Sequence, residues 1–128
     1  MTEEEQIVQA FFLPQKRDRY LGFLRSSKNR RKFLAELAHF RGLDERWKRS
    51  IPPVRQTVEG IAELLEQSGA ATNCFVISDY KDIDGTTLPL NEALGTVLGR
   101  TAGTFLSCRP GFLAYFENED GRWILKRN

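Results

Sequence analysis

An α+β domain is predicted by three observations: apolar residues at helical spacing fill the first half, alternating or continuous apolar runs fill the second, and glycine and proline punctuate the change. The expected layout is about four N-terminal helices over residues 1–69, followed over 70–128 by a four-stranded mixed sheet with one crossover helix (β-α-β-β-β). The 128 residues fit a single domain, 1–128.

Thr2 and Glu5 have the spacing of a capping box, and Glu3, Glu4 and Glu5 suit the positive end of a helix. Ile7, Val8, Phe11 and Phe12 then form an apolar face, which Pro14 ends. A second helix is expected over about 15–25, with Tyr20, Leu21, Phe23 and Leu24 facing inward. A third, capped by Ser26 or Ser27, is expected over 28–41, with Gly42 as its left-handed cap. A short helical turn over 45–49 carries Trp47. The clearest helix spans 53–67, where Val54, Val58, Ile61 and Leu65 share one stripe.

The second half reads as strands. Residues 74–78 are apolar on both alternating faces, as in a strand covered on both sides. A loop rich in Asp, Gly and Thr follows over 79–87, then a helix over 90–98. Strands are expected at 104–108, 112–117 and 122–126. A crossover helix between the first two strands predicts that they run parallel. The last strand has Trp123 and Leu125 on one side and Arg122, Ile124 and Lys126 on the other, which reads as a sheet edge.

Composition narrows the function. The apolar share of 41% is ordinary for a globular chain, and the charged share of 28% is slightly high. The N-terminus is acidic where a secretory signal is basic, and no run approaches the ~20 apolar residues of a membrane span. A cytoplasmic protein without membrane attachment is the expectation. Two cysteines, Cys74 and Cys108, with one histidine are too few for a zinc site, and both thiols read as small buried hydrophobes. No cofactor is expected, since phosphate-loop, dinucleotide and serine-elbow patterns are missing.

Charge is unevenly spread. Residues 14–55 hold thirteen basic and four acidic residues, a net +9 in a chain whose total is +2. Arg17, Arg19, Arg25, Lys28, Arg30, Arg31, Lys32, Arg46 and Arg49 are the candidate anion-binding residues, interleaved with Tyr20, Phe23 and Trp47. The bland account is a solvated helix face, neutralised by the acidic first helix and the Glu-rich helix at 53–67. Asp79, Asp82 and Asp84 supply three carboxylates that suit Mg²⁺ or Ca²⁺, although the match to a calcium loop is poor and turn formation explains the same residues.

Two weaker candidates complete the survey. His39 has Glu36 three residues before it as an orienting carboxylate. Cys108 and Arg109 stand side by side, but neighbours on a strand face opposite ways. The leading expectation is a non-enzymatic binding module whose anionic partner, an acidic protein surface or a nucleic acid, docks on the basic helices. The rivals are a small metal-assisted enzyme using the Asp loop with Glu92 nearby, and a protein-interaction or oligomerisation module, such as a homodimer, using the C-terminal edge strand.

Overall fold

The computed structural model describes residues 1–128 and is α+β: six antiparallel strands form one sheet with helices on both faces. The helices are α1 (Glu3–Phe11), α2 (Arg17–Phe23), α3 (Ser27–Glu36), α4 (Val58–Gln67) and α5 (Leu90–Val97). The strands are β1 (Lys48–Ser50), β2 (Asn73–Ser78), β3 (Thr87–Pro89), β4 (Thr104–Arg109), β5 (Leu113–Asn118) and β6 (Gly121–Lys126). Their order across the sheet is β1-β6-β5-β4-β2-β3. No helix is long and apolar enough to cross a membrane.

The expected four strands are present as β2, β4, β5 and β6, and two short strands extend the sheet. The predicted parallel pairing is corrected: β2 and β4 run antiparallel, with Phe75 opposite Ser107 and Ile77 opposite Phe105. The reason is β3. It folds back on β2, pairing Cys74 with Leu88, before α5 begins. The crossover through α5 therefore starts from β3 and ends in β4. Those two strands are parallel to each other, with β2 lying between them.

β6 is not an edge. β1 covers it, with Arg49 opposite Ile124 and Ser50 opposite Trp123. The free edges are short instead. One carries Lys48 and Arg49, the other ends at Pro89, and both features discourage strand addition.

Helix ends follow local chemistry. The Thr2–Glu5 capping box forms, with both reciprocal hydrogen bonds in place. Ser26 caps α3 and Thr57 caps α4 by accepting from backbone amides three residues on. Thr57 moves the start of α4 beyond the expected residue 53. Pro53–Arg55 is a separate 3-10 turn, which leaves Val54 exposed and off the apolar stripe. Gly42 is not a left-handed cap, because its φ is not positive. The Phe40 ring lies over it, so close that an added Cβ would fall 2.3 Å from the ring. Residues 45–49 divide into a 3-10 turn, Glu45–Trp47, and the start of β1.

The alternation along each strand separates two cores. Ile77, Phe105, Ala114, Phe116 and Leu125 face α1, α2 and α3. Cys74, Val76, Leu106, Cys108, Leu113, Tyr115 and Ile124 face α4 and α5. The first core is aromatic: the Phe12 ring lies within 4.8–6.1 Å of the rings of Tyr20, Phe33, Phe40 and Phe105. Ring pairs at such spacing add roughly 0.5–1.5 kcal/mol each beyond their burial. The second core is largely aliphatic, with Ile61, Leu65, Leu94 and Val97 fully buried.

Candidate functional site

α3 and the 79–86 loop meet in a cleft of about 300 Å³, and this is where the two sequence candidates, basic helix and Asp loop, come together. The helix reaches it because Phe33 and Leu34 anchor its inner face in the aromatic core. Lys28, Arg31 and Lys32, spaced three and four apart, share the outer face and are exposed.

Arg30 turns the other way and closes the floor of the cleft. Its Nη1 and Nη2 donate to the two carboxylate oxygens of Asp84 at 2.7 and 2.9 Å. Its Nε donates to Glu4 Oε2 at 2.7 Å. The Asp84 hydrogen bonds, then those of Glu4, hold the guanidinium proton more tightly than usual against the cost of partial burial. Asp84 Oδ1 also accepts the Ser78 backbone N–H, and the Ser78 hydroxyl shares a proton with Thr104 at 2.7 Å. Every polar group in this knot is satisfied. Its role is to tie α1, α3 and the end of β2 together.

The nine predicted anion-binding residues divide into two groups. Five are engaged inside the molecule. Arg17 donates to the Phe12 carbonyl, and Arg19 lies by Glu36 and over the Tyr20 and Phe23 rings. Arg30 is bound as above. Arg46 forms a forked pair with Asp44, and Arg49 donates to the Arg46 carbonyl and to Asn128. The other four, Arg25, Lys28, Arg31 and Lys32, are exposed, without a side-chain hydrogen bond or ion pair. Lys81, which sequence reasoning passed over, lines the same cleft as Arg31. Only the fold reveals this, because 50 residues separate the two.

The carboxylate cluster does not assemble. Asp84 faces Arg30, Asp82 faces Arg100 at 2.9 Å, and Asp79 is exposed. No group of three His, Cys, Asp or Glu side chains is placed to hold a metal ion. Asp82 and Asp84 serve as arginine partners, which explains an acidic loop without a cation. Glu92 is exposed on α5, on the far side of the sheet.

His39 is oriented by residues other than the expected one. Its Nε2 lies 2.6 Å from Glu119 and its Nδ1 3.4 Å from Asp120, while Glu36 instead accepts from the Tyr20 hydroxyl. Arg109 donates to the Gly69 carbonyl, and Cys108 faces the opposite way, into the second core.

Sequence reasoning also missed a buried carboxylate. Glu117 is fully buried and accepts from the Tyr115 hydroxyl, the Gly99 amide and Arg122 Nε at 2.7–3.0 Å. Arg122 continues to Gln56, which donates to the Ile51 carbonyl. Burial first, then the Glu117 charge, pushes the Tyr115 hydroxyl far above the usual phenol range. This network joins β5, β6 and the segment before α4. It uses the largely charged face of β6, whose pattern in the sequence reads as a sheet edge.

Searches against protein-family models, curated proteins and solved structures return no match to this chain.

Proposed function

We propose that the protein is a non-enzymatic binding module that takes up an acidic protein surface on Arg25, Lys28, Arg31, Lys32 and Lys81. One observation carries the reading: these cations are exposed and unpaired, and the helix expected to neutralise them is on the wrong side of the sheet. Glu59, Glu63 and Glu66 belong to α4. Helical layers on opposite faces of a sheet lie roughly 20 Å apart, at about 10 Å per layer. That separation exceeds the Debye length of about 8 Å at physiological salt. The acidic first helix does contribute, but Glu4 is spent on Arg30.

An acidic protein is favoured over nucleic acid by the fate of the aromatics. Tyr20 is buried, Phe23 packs on the first core under Arg19, and Trp47 lies against Arg46 and Arg127. None is left as an open stacking platform of the kind single-stranded nucleic acid uses. The remaining cations extend along a helix of ten residues, roughly 15 Å.

The test is a titration of the full chain with a Glu-rich peptide, a single-stranded RNA and a DNA duplex over a salt series. Saturable peptide binding that weakens with salt is expected. Tighter RNA or DNA binding, with a log–log salt slope of about −0.7 to −0.9 per phosphate, overturns the choice of partner. Absence of binding to all three at low salt overturns the reading altogether.

A further inference from the structure

We propose that Cys74 and Cys108 form a reversible disulfide, making the β2–β4 junction a redox modification site. The two thiols come from strands 34 residues apart, and their sulfurs lie 3.2 Å from each other. Both are free and fully buried in the second core. Phe75 pairs with Ser107, and Cys74 and Cys108 follow immediately beyond this last pair of the β2–β4 ladder. Val76 directs its backbone hydrogen bonds to the β3 side, at Thr86 and Gly85. Beyond the Phe75–Ser107 pair the ladder is irregular: Cys108 lies in a bulge of β4 between Ser107 and Arg109, and its carbonyl accepts the Ala71 N–H at 2.7 Å. The bulge leaves both side chains in the second core with their sulfurs in contact. Bond formation requires the sulfurs to close by only about 1 Å.

Cys74 lies nearer the edge of the sheet than Cys108. Its outer neighbour is β3, three residues long and at the free edge of the sheet. The hydrogen bond between the two thiols holds Cys74 below the ordinary range, while the same contact and burial push Cys108 well above it. Of the two, Cys74 is therefore the one that more readily gives up its proton to become the attacking sulfur, and Cys108 the resolving one.

With a hydroperoxide as oxidant, the Cys74 thiolate attacks one peroxide oxygen and the O–O bond breaks. Hydrogen peroxide yields a sulfenic acid and hydroxide. The Cys108 sulfur then attacks the Cys74 sulfur and displaces the second hydroxide. The two thiol protons convert both hydroxides to water. The dithiol loses two electrons, the peroxide gains them, and an external dithiol reverses the change by exchange. The closed loop contains the 79–86 segment, β3 and α5.

The experiment exposes the native full chain to stoichiometric hydrogen peroxide, then maps peptides under non-reducing conditions. The expected product is one peptide pair joined through Cys74 and Cys108, with a mass loss of two hydrogens and a Tm raised by about 10 °C that dithiothreitol reverses. Cys74→Ala and Cys108→Ala should each leave one thiol that is not linked within the chain. The wild-type map decides the matter even where those variants fold poorly. Two intact thiols after treatment, separately oxygenated cysteines, or only links between chains overturn the proposal.

Discussion

The two helical layers differ in both chemistry and charge, although they cover the same six strands. The α1–α3 layer is packed with interlocking rings; α2 and α3 face solvent mainly with arginine and lysine, while α1 carries three glutamates at its start. The α4–α5 layer is aliphatic, and its charged helix residues are all glutamates. It hides its polar groups instead: the two thiols and the Tyr115–Glu117 pair lie beneath it or at its margin. The sheet sets the glutamates of α4 at a distance from the cations of α3, so that salt screens the one from the other.

The largest expected effect tests the packing contrast. Phe12→Ala should cost about 3–5 kcal/mol, because Phe12 touches four rings and is fully buried. Leu65→Ala, equally buried on the other face, falls in the range of about 2–5 kcal/mol and should be the milder. Urea melts of both variants decide the order. A costlier Leu65→Ala would show that the aromatic layer is not the stability hub.

Glu117→Gln comes next, at about 2 kcal/mol. Three donors converge on its two oxygens, and an amide NH2 must face at least one of them. Chemical denaturation should show that loss. An unchanged midpoint would mean that the network rearranges at no cost.

The two layers should also respond at opposite ends of the pH scale. The Arg46 fork holds the Asp44 carboxyl below its usual range, beside α1. A depressed folded pKa stabilises above the unfolded value of about 4 and is lost as pH falls through the folded one. Asp44→Asn should therefore be less stable than wild type at neutral pH, with the difference shrinking below about pH 4. Tyr115 is the reverse case. Its raised pKa leaves stability intact below about pH 10 and erodes it as pH rises further, so Tyr115→Phe should flatten the alkaline limb. Thermal melts across pH check both limbs.

The smallest effect on stability is expected from Lys28→Glu, Arg31→Glu and Lys32→Glu together. Exposed charges without partners should shift unfolding by no more than about 0.5 kcal/mol each. Acidic-peptide affinity should nevertheless fall by roughly tenfold or more, chiefly at low salt. Unchanged affinity in a folded variant would break the link between the basic face and binding.

Local patterns in the chain determined much of this arrangement. The Thr2–Glu5 cap, the two-sided burial of β2, the burial of both thiols and the +9 segment are legible from residue type and spacing. These features depend on neighbours within a few residues, where helical and strand periods act directly. β1 and β3 were not legible. Lys48-Arg49-Ser50 and Thr87-Leu88-Pro89 are too short and too polar to show a period, and only strands distant in sequence make them strands. Missing β3 also reversed the expected pairing of β2 with β4.

The tertiary structure alone decided which charges remain free. Arg30 and Arg31 are adjacent and chemically identical, yet one is bolted to Glu4 and Asp84 while the other stays exposed. It likewise set the sulfurs of Cys74 and Cys108 in contact and turned Asp82 and Asp84 away from a common centre. Helical period places side chains one residue apart on different faces. What each face meets depends on long-range packing, and a partner 54 residues away leaves no trace in local spacing.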